Sequence, residues 1–108
     1  MKQTFGEYIR QLRTENAFTL TQLGAKLNID SANLSKIENG KRVFDEKKLI
    51  HLSTVFNLDI EKLKTEFFSE VFAKKVYQSN CSTDALMVAE EKVNYYRENN
   101  VKQGRLKL

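Results

Sequence analysis

Five side chains in one short segment, Ser31, Ala32, Asn33, Ser35 and Lys36, are suited to one kind of chemistry. They are small hydroxyl, amide and methyl groups with one ammonium. Leu34 and Ile37 fall among them at helical spacing and turn inward, which leaves the five, with Asn39, on faces not needed for a core. On a helix lying in a DNA major groove, Lys36 could donate to guanine O6 and N7 and Ala32 could touch a thymine methyl. Ser31 or Asn33 could hydrogen-bond to either kind of edge. Other chemistry has little material. His51 is the only histidine and Cys81 the only cysteine, so one chain cannot assemble a metal set. No glycine-rich phosphate loop and no Ser/His/Asp or Cys/His arrangement is evident. The expectation is a protein that is not an enzyme and takes no metal, cofactor or small-molecule ligand.

The elements that must position these groups are legible nearby. Thr19 followed by Gln22 forms a capping box for a helix carrying Leu20, Leu23 and Leu27. Asn28 tolerates the left-handed conformation that a sharp bend requires. Asp30 caps the second helix and Gly40 ends it. Upstream, Thr4 caps a helix whose Phe5, Tyr8, Ile9 and Leu12 make one apolar stripe. Phe18 is expected to pack as a staple against Leu23. Downstream, Asp45 is expected to cap a fourth helix with Leu49, Leu52, Val55 and Phe56 inward, and Asp59 a fifth beginning with Ile60 and Leu63.

The stretch from Thr19 to Gly40 resembles the helix-turn-helix of the phage-repressor (Cro/CI-like, XRE) family of DNA-binding proteins. Leu23, Leu27, Ile29, Leu34, Ser35, Ile37, Glu38, Asn39 and Gly40 carry the resemblance, and the Leu-Ser-x-Ile-Glu-x-Gly run is its specific part. The resemblance covers about Thr4 to Leu63. It implies a five-helix repressor-like domain over residues 1–66. It further implies that Lys41 and Arg42 run beside the phosphates, with Thr19 and Asn39 as further phosphate contacts, and that Arg13 pairs with Glu38. An unpaired Glu38 next to the inward-facing Ile37 would be costly to bury. Two positions depart from the family. Leu20 stands where glutamine often reaches the DNA backbone. Gly24 replaces a usual alanine where the two helices touch, at about 1 kcal/mol of helix propensity.

Beyond this core the fifth helix is expected to continue through Phe67, Phe68, Val71, Phe72 and Val76. After a break at residues 78–82, a sixth helix, capped by Ser82 or Thr83, carries Leu86, Val93 and Tyr96. This apolar arc is wider than one domain needs. Residues 67–98 are therefore read as a dimerisation extension, the alternative being that they fold back and thicken the same core. Residues 99–108 have little periodicity and are expected to form a mobile tail. The fold class is all-α, with the helix-turn-helix domain, an extended fifth helix and a sixth.

Composition sets outer bounds. The 108 residues contain 41% hydrophobic and 30% charged residues, no proline and four glycines, which favours helices over a turn-rich β fold. No apolar run approaches a membrane span. One cysteine and no charged-then-apolar start fit a cytoplasmic protein. The net charge of +4 is unevenly placed. Residues 1–44 hold seven Lys/Arg against four Asp/Glu, so positive charge travels with the helix-turn-helix.

These readings converge on a homodimeric transcriptional regulator on a two-fold double-stranded operator. The resemblance points first to the controller proteins of restriction-modification operons, so control of such an operon is the expected role, with a phage-type repressor as an alternative. An antitoxin holding its toxin on the C-terminal helices is the reading from a different class.

Overall fold

The computed structural model describes residues 3–103, with side chains described through Asn100. Six α-helices account for most of it: α1 (Phe5–Glu15), α2 (Leu20–Leu27), α3 (Ser31–Glu38), α4 (Leu49–Phe56), α5 (Ile60–Gln78) and α6 (Asp84–Gln103). No strand occurs among the described residues.

The first helix boundaries follow from local hydrogen bonding. At the start of α1 the Glu7 amide donates to the Thr4 hydroxyl at 3.0 Å, and the Thr4 amide donates to the Glu7 carboxylate at 2.8 Å. Thr19 and Gln22 repeat this reciprocal pattern at α2, also at 3.0 and 2.8 Å. Each box satisfies two amides that a helix start would otherwise leave without partners. Asn28 and Asn57 end α2 and α4 in the left-handed region, at φ 56° and 53°. One boundary differs from expectation. Asp45 caps a 3-10 turn at Glu46–Lys48, its carboxylate accepting from the Lys47 amide, and α4 begins only at Leu49. Tight i→i+3 winding closes a hydrogen bond over fewer residues, here from the Lys48 amide to the Asp45 carbonyl at 2.9 Å.

The chain divides into two compact units, the first ending at Glu70 and the second beginning at Val71, so α5 contributes to both. The core of the first unit gathers one stripe from each of its helices. Ile9, Leu23, Leu27, Leu34 and Leu52 are fully buried, with Leu63 2% exposed. Each such side chain contributes roughly 1.5–3 kcal/mol relative to an exposed position. Phe5 ties distant segments together, its ring 5.7 Å from Phe44 and 5.2 Å, edge-on, from Phe67. Glu70 accepts the Phe5 amide at 2.8 Å.

Phe67 therefore corrects an expectation. Its helical spacing places it in the association face, but it is 6% exposed and sits in the core of its own unit, with Phe68 half-buried against that core. The stripe of α5 simply serves the first unit for longer than residue 66. Phe18 packs against the core cluster that includes Leu23, with its ring 5.9 Å from Phe56 and the Lys26 ammonium 5.2 Å over its centroid.

The close packing of α1 and α2 on their neighbours depends on glycine. A Cβ at Gly6 would collide with the Ile37 carbonyl oxygen of α3, and one at Gly24 with the Ile29 carbonyl oxygen. Alanine at position 24 would thus have no room here, and glycine is what lets the turn close.

In the second unit α5 ends by closing onto itself. The Asn80 amide donates to Tyr77 and the Cys81 amide to Val76, with Asn80 at φ 55°. The Ser82 hydroxyl accepts from the Asp84 amide at the start of α6. Helix α6 continues through Gln103, past Asn99; residues 104–108, the end of the expected tail, lie outside the described residues. Phe72, Leu86, Val93 and Tyr96 are 54%, 41%, 41% and 38% exposed within this chain.

Candidate nucleic-acid interface

Helices α2 and α3 are joined by Asn28, Ile29 and Asp30 alone. The left-handed Asn28 reverses the chain, and the Ile29 amide donates back to the Gly24 carbonyl at 2.8 Å. Lys48 reinforces this corner from afar, its ammonium 3.2 Å from the Leu27 carbonyl and 3.3 Å from that of Asn28. A cation on the last carbonyls of α2 satisfies them and complements the helix dipole.

On α3, Leu34 and Ile37 point into the core, while Ser31, Ala32 and Lys36 are exposed and Asn33 and Ser35 half-buried. The helix is held from beneath by Glu38, a carboxylate only 3% exposed. Arg13 grips it with two nitrogens, Nε to Oε2 at 2.7 Å and Nη2 to Oε1 at 2.9 Å, and donates a third bond to the Phe18 carbonyl at 3.1 Å. That bonding to Glu38 raises the Arg13 pKa above its ordinary value, against the opposing effect of burial. Arg10 adds a longer contact to Glu38 at 3.3 Å and also donates to the Asn39 side chain. No buried side-chain nitrogen or oxygen among the described residues is left unsatisfied. The whole network fixes α3 against α1.

Several side chains read as DNA contacts are engaged within the chain. Thr19 uses its hydroxyl oxygen to cap α2. Asn39 donates to the Ser35 carbonyl at 2.9 Å and accepts from Arg10. Asn33 donates its amide to Asp30 at 2.8 Å and accepts from Arg42. Ser31, Ala32, Lys36, Lys41 and Arg42 are all exposed. Sequence reasoning missed Arg10 and Lys48. Arg10 had a signal, since it lies three residues before Arg13 and so shares its helix face. Lys48 had none, because its targets are backbone carbonyls about twenty positions earlier.

A short helix, a three-residue turn and a second helix with a polar outer face, braced by a preceding and a following helix, define a helix-turn-helix domain. Residues 6–66 match the helix-turn-helix domain family model, and the chain belongs to this Cro/CI-like helix-turn-helix family. It is 34% identical over 83 residues to the HTH-type transcriptional repressor RghR of Bacillus subtilis, covering 73% of this chain and 62% of the repressor. It is also 50% identical over 38 residues to the uncharacterized HTH-type transcriptional regulator RghRB of the same organism, covering 35% of this chain and 27% of that protein. The chain thus spans less than two thirds of the length of these relatives. No solved structure matches it.

Proposed function

We propose that the protein is a sequence-specific, double-stranded DNA-binding transcriptional regulator, acting in the cytoplasm as a homodimer on a two-fold operator. The observation that carries the reading is the exposed face of Ser31, Ala32 and Lys36 on a helix whose other face is locked into the core. In this reading α3 enters the major groove, with Asn33 and Ser35 beside the three exposed residues. Lys41 lies at its end and, with Thr19 and Asn39, sets register on the phosphates, with Arg42 following it in the same exposed loop. No described helix is long and apolar enough to cross a membrane.

Repression is the favoured direction of control, supported by the similarity to RghR. Control of a restriction-modification operon is a narrower version of the same function that rests on family resemblance alone. The dimer is supported by the exposed Val71, Phe72, Leu86, Val93 and Tyr96, and by the few base pairs that one recognition helix can read. Val76, half-buried, belongs to the same segment.

Sedimentation of the purified protein, alone and with duplex DNA from upstream of its own coding sequence, tests the reading. The expected result is a dimer that forms a discrete two-fold complex and weakens steeply with salt. A protein that ignores this DNA at low salt overturns it, and a small-toxin partner for the C-terminal helices then becomes the reading to pursue.

A further inference from the structure

The contact between Arg42 and Asn33 assigns Arg42 a different place from the one family resemblance gives it. Asn33 lies in the first turn of α3, and its side chain is oriented from one end by Asp30. The Asp30 carboxylate accepts the Asn33 backbone amide through Oδ1 and the Asn33 side-chain amide through Oδ2, both at 2.8 Å. With its nitrogen so engaged, the Asn33 carboxamide presents its oxygen outward, and the Arg42 guanidinium donates to that oxygen through Nη1. The loop after α3 thereby folds its arginine back onto the N-terminal half of the recognition helix, nine residues earlier in the chain.

We propose that Arg42 is a specificity-determining residue which reads a guanine in the major groove, and that Asn33 is the positioning residue that aims it. The inference rests on the proposed DNA-binding function. A guanidinium has five N–H donors in a planar fork, and only one is committed to Asn33. The remaining donors suffice for a bidentate contact to guanine O6 and N7, the commonest specific contact in the major groove. The first turn of a recognition helix is also where base edges are met. Arg42 is exposed, so this fork is accessible. Lys41, its neighbour, is exposed as well, but it is tied to α3 through its backbone amide, which donates to the Lys36 carbonyl at 2.8 Å, and its ammonium stays with the phosphates.

Selection from a duplex pool with a randomised central segment, followed by affinity measurements on single-base variants of the selected site, tests the assignment. Arg42→Ala and Asn33→Ala should both lower discrimination about tenfold at the same G·C pair in each half-site, with other positions unchanged. The double variant should lose no more than the larger single loss, because the two side chains act as one unit. Arg42→Lys is decisive, since it keeps the charge but loses the planar fork. It should behave like Arg42→Ala in discrimination while retaining most of the salt dependence. If Arg42→Ala weakens all duplexes alike and Arg42→Lys restores binding in full, Arg42 is a phosphate contact and the inference is wrong. A wild-type protein that selects no sequence at all overturns the proposed function and this inference with it.

Discussion

Arg13 holds the buried carboxylate of Glu38 through two nitrogens, at 2.7 and 2.9 Å, across twenty-five positions of sequence. The pair joins the first helix to the C-terminal turn of the recognition helix. Its oxygens and nitrogens are shielded from water, with side-chain exposures of 16% for Arg13 and 2% for Glu38. Removing one partner of a shielded pair strands the other, at a typical cost of about 3–5 kcal/mol. Arg13→Ala should fall near 3 kcal/mol, because Arg10 remains beside Glu38. Arg10→Ala should cost under about 1 kcal/mol, since Arg10 is 45% exposed. Urea denaturation of the two variants checks the ranking; equal losses would contradict it.

Gly6 tests the closeness of α1 to α3. Its substitution by alanine sets a methyl against the Ile37 carbonyl oxygen, with only backbone to give way. A loss of about 1–3 kcal/mol is expected from overpacking. Gly40→Ala is the comparison, because that position has open space and only a left-handed φ of 75° to penalise. Its cost should be about 1–2 kcal/mol. Thermal melts of both variants decide whether approach or conformation governs at each glycine.

Lys36 and Lys41 separate reading from positioning. Lys36→Ala should relax preference at one or two base pairs, by about 1–3 kcal/mol of discrimination. Lys41→Ala should weaken all duplexes alike and reduce the slope of log affinity against log salt by about one. Fluorescence anisotropy on matched and mismatched duplexes across a salt series distinguishes the two, and the proposed division fails if the variants behave identically.

The second unit should govern association. Val93→Asp places a charge on a residue that is 41% exposed in the single chain, so little intrachain packing is lost. Sedimentation should show a shift from dimer to monomer, while circular dichroism retains the melting of the first unit. A variant that remains dimeric would move the interface away from α6.

Tyr8 predicts an alkaline limit. Burial raises its phenol above the ordinary value of 10.0, with Glu66 and Glu15 adding to the effect. Its native environment therefore favours the neutral phenol. That contribution is fully present below the unfolded-state pKa of about 10 and is lost as pH rises through the folded value. Tyr8→Phe should flatten the decline in stability above that pH, measured by denaturant midpoints along a pH series.

What the sequence by itself determined lies within a few residues of its cause. Thr4 with Glu7, Thr19 with Gln22, Asp30 with the Asn33 amide and the left-handed Asn28 are interactions spanning three or four positions, and helical periodicity set Leu23, Leu27, Leu34 and Ile37 inward. The Arg13–Glu38 relationship was also legible, through resemblance to a family rather than from spacing. Tertiary structure alone decided the rest. An apolar stripe says that a face will be buried but not against what, and only the fold brought Phe67 onto Phe5 and kept it from the outer face. The same holds for Lys48 on the end of α2, Arg10 on Glu38 and Arg42 on Asn33. Each joins groups from nine to more than sixty positions apart, and no local propensity encodes which distant group will arrive. That arrival depends on how the glycine-lined corners at Gly6 and Gly24 let the helices close on one another.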